Sequence, residues 1–89
     1  MIDEIHIAGI IVHASRAQMD AVRTQLALVP GAIVHTAAAD GRMVVTLETD
    51  SAQRTLDTMD VIRVIPGVFN VALVYQHAEP REAMDEEIR

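Results

Sequence analysis

Cysteine and lysine are absent from this 89-residue chain, and its only aromatic residues are Phe69 and Tyr75. The lack of cysteine excludes disulfides, thiolate metal sites and cysteine nucleophiles. With seven arginines against thirteen acids, the net charge is −6, which disfavours nucleic acid and anionic lipid and favours basic partners. No apolar run approaches the roughly 18–20 residues of a membrane span, and the N-terminus lacks the basic segment of a secretion signal. We therefore expect a cytoplasmic protein with no nucleic-acid or membrane partner.

The four histidines do not form a predicted metal site. His6 and His13 are seven residues apart in one predicted strand, so they point to opposite faces about 23 Å apart. No acid completes a ligand set beside any of the four. No glycine-rich loop follows a strand either, so the sequence predicts no metal, no cofactor and no enzymatic activity.

The first predicted strand, 4–13, is aliphatic, small or glycine at every position from Ile7 to Val12. A strand with one face in water should alternate apolar and polar residues, so both faces of this strand avoid water. Ser15 and Gln18 then form a predicted capping box for a helix. Its apolar stripe consists of Met19, Val22, Leu26 and Val29.

The pattern of strand, capped helix and Pro-Gly corner occurs twice. Asp50 and Gln53 form a second predicted capping box, and both helices end at a Pro-Gly pair, Pro30-Gly31 and Pro66-Gly67. The other predicted strands are 32–37, 42–49 and 68–77. The second helix is predicted to bury Ala52, Leu56, Met59 and Ile62.

The order βαββαβ predicts an α+β, ferredoxin-like split βαβ sandwich, a four-stranded antiparallel sheet with two helices on one face. The first and third strands are central. We expect residues 1–77 to form this single domain. Residues 78–89, rich in acids, are predicted to be a disordered tail.

Strand alternation assigns the side chains to two faces, although a slip of one residue would invert a strand. The side chains predicted to face the helices are Ala8, Ile10, Val12, Val34, Met43, Val45, Leu47, Val71, Leu73 and Tyr75. The opposite face is predicted to hold Ile7, Gly9, Ile11, His13, Ile33, His35, Val44, Thr46, Glu48, Ala72, Val74 and Gln76.

This second face is predicted to be aliphatic at its centre, with a depression at Gly9, and monomers rarely expose such a patch unless it binds something. Burial of about five aliphatic side chains would gain roughly 7–15 kcal/mol before the costs of association. The residues alone leave open a homodimer through this face or a different partner. Glu48 and the acidic tail suit a peptide with arginines followed by aliphatic residues, which is the layout of a signal peptide.

The sequence resembles the NapD family of chaperones over about 5–77. The resemblance depends on an ordered set of segments: Ile11-Val12-His13-Ala14, Val29-Pro30-Gly31, Gly41 before Met43-Val44-Val45, Glu48, Pro66-Gly67-Val68, Val71, and Leu73-Val74-Tyr75. It implies a cytoplasmic chaperone that binds the twin-arginine signal peptide of the periplasmic nitrate reductase catalytic subunit and delays export until cofactor insertion and folding.

The resemblance also implies that the peptide lies as a helix on the open sheet face. The residues that would contact it are Ile7, Gly9, Ile11, His13, Val44, Thr46, Glu48, Ala72, Val74 and Gln76, with Glu48 the candidate partner of an arginine. The alternative is a regulatory or oligomerisation module of the ACT or Lrp/AsnC effector-domain kind, which shares the sandwich and usually dimerises.

Overall fold

A computed structural model describes residues 4–80. The elements in chain order are β1 (Glu4–Ala14), a 3₁₀ turn (Arg16–Gln18), α1 (Met19–Ala27), β2 (Ala32–Ala37), β3 (Arg42–Thr49), α2 (Ala52–Arg63) and β4 (Val68–Pro80). The strands form one antiparallel sheet in the order β2-β3-β1-β4. The predicted ferredoxin-like topology, with β1 and β3 at the centre, is confirmed.

The core lies between one face of this sheet and both helices. Ile10 of β1 and Val45 of β3 are fully buried in a single cluster with Leu26 of α1 and Ile62 of α2. Every member of that cluster on β1 has an even number, as period-2 alternation requires. The helices therefore cover one side of the sheet.

The start of α1 differs from the prediction. The Ser15 side chain makes no capping hydrogen bond, and a 3₁₀ turn precedes the helix, which begins at Met19. The reason is tertiary: the Ser15 amide donates to the Gly67 carbonyl at 2.7 Å, which ties this loop to the corner before β4. Val22 and Leu26 are fully buried, and Met19 and Val29 pack against the core, so the predicted stripe is confirmed.

The cap of α2 is Ser51 rather than Asp50. The Ser51 hydroxyl accepts from the Arg54 amide at 3.1 Å. The inner side of α2 carries Thr55, Met59 and Ile62. Leu56 is 51 % exposed and Ala52 is also exposed, so the predicted burial of these two residues is wrong. Thr55 can be buried because its hydroxyl is 2.8 Å from Oγ1 of Thr49 and 3.3 Å from the Ser51 carbonyl oxygen.

The corner after α1 and the end of β4 complete the fold. The corner requires Gly31, because φ is +83° there and no space is left for a Cβ beside the Glu48 carbonyl. The last strand continues to Pro80 instead of ending near His77, because Ala78, Glu79 and Pro80 pair with the first residues of β1. Residues 78–80 thus belong to the sheet, and the rest of the predicted tail, 81–89, lies outside the described residues.

Candidate functional site

The candidate site is the sheet face opposite the helices, here called the open face. On β1, Ala8, Ile10 and Val12 are fully buried on the helix side. Ile7, Ile11 and His13 alternate with them and are only partly buried. Within residues 4–80 no helix lies on that side, so the predicted asymmetry of β1 is confirmed.

The strand β3 contributes three of the predicted residues to this face. Val44, Thr46 and Glu48 pair with Ile11, Gly9 and Ile7 across an unbroken β1·β3 register. Val44 is 39 % exposed although it lies on a central strand. Because the β1·β3 pairing contains no bulge, alternation assigns both central strands correctly.

The edge strand β2 extends the face on one side. Ile33 pairs with Thr46 and is 53 % exposed. A register shift between Val34 and Thr36 leaves His35 without a partner on β3. The His35 side chain nevertheless reaches the open face, because its Nε2 and Thr46 Oγ1 are hydrogen-bonded at 2.7 Å.

The other edge strand, β4, departs from the prediction. Ala72 pairs with Ile11, as expected, but the register shifts between Gly9 and Ile10, so that Val74 has no partner on β1. This bulge inverts the alternation beyond it. Tyr75 lies on the open face, and Gln76 pairs with Ala8 and lies on the helix side, so both predicted placements are wrong.

Tyr75 also changes the centre of the open face. A Cβ added to Gly9 would lie 2.7 Å from Cδ1 and 2.9 Å from Cζ of the Tyr75 ring. The ring therefore covers the glycine, and Gly9 is buried while Tyr75 is 48 % exposed. The predicted depression is filled by an aromatic ring of this same chain.

This packing predicts a coupling between the two residues. We expect Gly9→Ala to lower the free energy of unfolding by about 1–2 kcal/mol, because the new methyl group displaces the ring. In a Tyr75→Ala background the same substitution should cost less than half as much, since the space is then free. Urea denaturation of the four proteins in this double-mutant cycle measures the coupling. Equal costs in both backgrounds would contradict the described packing.

The charges of the open face are separated along the strands. One end carries Glu48, which pairs with Ile7, and Glu79, which lies on the same side of β4 as His77, the other partner of Ile7. The Glu79 carboxylate accepts a hydrogen bond from His77 Nε2 at 2.7 Å. Both acids lie where β1 begins, so we call this region the acidic end.

The opposite end of the face carries His13 and Arg42, which pair with each other where β1 ends. Arg42 Nε donates to Asp40 Oδ2 at 2.9 Å, and the Arg42 amide donates to Oδ1 at 3.2 Å. This amide hydrogen bond, with the charges of Arg42 and His13, keeps the pKa of Asp40 below its usual value. We call this region the arginine end.

A second concave region lies on the helix side of the sheet. It is a cleft of about 660 Å³ between the end of α1, one side of α2 and the ends of β1 and β3, and its lining residues include Leu28, Val29, Val61, Asp57, Ile5 and Glu48. Glu48, at the end of β3, therefore borders both the cleft and the open face. Within 4–80 no three His, Asp or Glu side chains approach closely enough to share a metal ion. Neither α1 nor α2 has the length and apolar character of a membrane-spanning helix.

Three comparisons relate the chain to known proteins. A family model described as NapD protein matches residues 5–80. The protein named Chaperone NapD from Escherichia coli K12 is 28 % identical over 74 residues, which cover 82 % of this chain and 85 % of the relative. Chaperone NapD from Shigella flexneri matches with the same identity and coverage.

A solved structure that resembles this fold is the solution structure of the E. coli Tat proofreading chaperone protein NapD. The TM-score is 0.78 at 26 % sequence identity, and the alignment covers 92 % of this chain and 86 % of that one. The likeness extends over almost the whole of both chains.

Proposed function

The chain belongs to the NapD family, and on that premise we propose that its open face binds the twin-arginine signal peptide of the periplasmic nitrate reductase catalytic subunit. Binding takes place in the cytoplasm and delays export until the cofactor has been inserted and the subunit has folded. The role is that of a chaperone and requires no catalysis, in keeping with relatives that are named chaperones.

The observation that supports this proposal is an uncovered apolar surface next to two carboxylates. Ile33, Val44 and Tyr75 are 53 %, 39 % and 48 % exposed on one face of the sheet, and Glu48 and Glu79 lie at one end of that face. A segment with two guanidinium groups followed by aliphatic side chains complements such a surface. An amphipathic helix would place one apolar stripe against the sheet.

The contact residues that we propose follow from the corrected faces. Ile7, Ile11, His13, Val44, Thr46, Glu48 and Ala72 keep the role predicted for them. Gly9 is withdrawn, because it is buried beneath the Tyr75 ring. Tyr75, His77 and Glu79 join them, because the bulge in β4 turns these residues to the open face. Val74, 62 % exposed at the bulge, is a flanking contact, and Gln76 is withdrawn because it faces the helix side.

The proposal is tested with a synthetic peptide of two arginines followed by an aliphatic segment. We expect a dissociation constant between micromolar and nanomolar, and about tenfold weaker binding when both arginines become alanine, since two charge-assisted contacts are lost. Two lysines should give an intermediate value, because lysine keeps the charge but lacks the planar fork. Isothermal titration calorimetry measures all three.

The same titration separates the other candidate roles. The regulatory or oligomerisation module predicts binding of amino acids and indifference to the peptide. A homodimer through the open face predicts that the apparent peptide affinity falls as the protein concentration rises. Either result, combined with no arginine dependence, would contradict the proposed function.

A further inference from the structure

The charge separation on the open face assigns a direction to its ligand. We infer that the two arginines of the peptide lie at the acidic end and that the aliphatic segment runs along β1 toward the arginine end. This inference rests on the proposed function, but it is a separate statement, because the face could bind the same peptide in either direction.

The acidic end can receive two guanidinium groups. Glu48 and Glu79 lie on the two strands that flank β1, so about 10 Å, two strand spacings, separates their backbones across the sheet. The Glu48 residue is exposed. The Glu79 side chain is 29 % exposed and is held by His77. Neither acid forms an ion pair with an arginine of residues 4–80, so both carboxylates can accept a guanidinium.

The adjoining row of side chains supports the same placement. Tyr75 pairs with Gly9, two residues along β1 from Ile7, which pairs with Glu48. The Tyr75 ring covers Gly9 and leaves about half of the side chain exposed. A cation within about 6 Å of an aromatic face is attracted to the ring, so the exposed part of Tyr75 offers a further contact to a guanidinium that lies over β1 at this end.

The arginine end is suited to the other end of the ligand. Asp40, the carboxylate near this end, is already paired with Arg42, so it is less available to an incoming guanidinium than Glu48 and Glu79 are. The carbonyl groups at the C-terminus of a helix carry a partial negative charge, which a nearby cation stabilises. A helical peptide in the inferred direction places its C-terminus near Arg42 and its N-terminus near the two carboxylates, so both helix ends are complemented.

The length of the face agrees with this arrangement. From Ile7 to His13, β1 spans about 20 Å, which equals about 13 residues of α-helix. The aliphatic segment of a signal peptide has roughly 7–15 residues. Such a segment reaches from the acidic end to the arginine end with one helical stretch.

Spin labels on the peptide test the direction. The protein has no cysteine, so a thiol-reactive nitroxide labels only the peptide, at a cysteine placed at its N-terminus or its C-terminus. We expect the N-terminal label to broaden the amide signals of Ile7, Glu48 and His77 first, and the C-terminal label those of His13, Arg42 and Asn70. The reverse pattern, or equal broadening by both labels, would overturn the inference while leaving the proposed function intact.

A charge-matched pair of variants provides a second readout. We expect Glu48→Gln with Glu79→Gln to weaken peptide binding about tenfold and to remove the advantage of the arginine peptide over its alanine counterpart. The control, Asp20→Asn with Asp57→Asn, removes the same charge from exposed helix positions and should change affinity less than twofold. A loss in the control as large as that in the Glu48 and Glu79 variant, or larger, would place the ligand in the cleft, which Glu48 and Asp57 both line, and would contradict the proposed function as well.

Discussion

Val44→Asp should weaken binding of the arginine and aliphatic peptide by about 30–100-fold, or roughly 2–3 kcal/mol. Val44 lies on the central strand β3, pairs with Ile11 and is 39 % exposed. The substitution removes an aliphatic contact and obliges a bound aliphatic segment to desolvate a carboxylate. The added negative charge would by itself favour a cationic ligand, so a loss can arise only from the burial of this position in the complex.

Val61→Asp is the matched control for this experiment. Val61 is 54 % exposed on α2 and lines the cleft on the helix side. The two variants have the same composition and net charge, and calorimetric titration compares their affinities while circular dichroism confirms folding. We expect Val61→Asp to bind as the natural sequence does or slightly more tightly. Equal losses in the two variants, or a loss in Val61→Asp alone, would show that the open face is not the binding surface.

The central strands are predictable from sequence because nothing interrupts their alternation. Eight consecutive pairs join β1 and β3 without a shift, from His6 with Thr49 to His13 with Arg42. Period-2 alternation alone therefore assigns fully buried Ile10 and partly exposed Ile11 to the correct faces of the sheet. These strands fix the middle of the open face, and the ferredoxin-like topology follows from the order of the elements.

The edge strand β4 is not predictable in the same way. A bulge depends on how two strands twist against each other, and nothing in the run from Val71 to Gln76 marks the extra residue, since Val74 is an ordinary strand former. One inserted residue is enough to exchange the faces of Tyr75 and Gln76. The one local signal is Gly9 in the buried strand β1, because a glycine leaves room for a large ring such as that of Tyr75.

The sequence predicts only part of the acidic end, for a related reason. Alternation on β3 predicts the place of Glu48, but the change of composition after His77 puts Glu79 in the predicted tail. Glu79 belongs to the sheet because it pairs with Ile5 of β1. The backbone hydrogen bonds come from a strand that is distant in sequence, so the residues around Glu79 do not predict them. The error at α2 has a similar cause, since Thr55 occupies the buried position by bonding to Thr49 on a neighbouring strand.

Adjacent residues of β1 should differ sharply when each is changed to alanine. Ile10→Ala removes a side chain with no exposed surface from the core between sheet and helices, and we expect it to lower the free energy of unfolding by about 2–4 kcal/mol. Ile11→Ala, on the open face, should cost about 1 kcal/mol in the free protein, chiefly in strand preference and partial burial. Urea denaturation without peptide measures both.

The order of the two effects should reverse when binding is measured. Ile11→Ala removes a contact that we propose the peptide makes, so affinity falls, whereas Ile10→Ala leaves the open face unchanged in the molecules that remain folded. Both positions are isoleucines on the same strand, so a difference between the effects of the two substitutions reports the face to which each side chain points. A stability loss for Ile11→Ala as large as that for Ile10→Ala would mean that the chain itself covers both sides of β1, and then no surface would be left for the signal peptide.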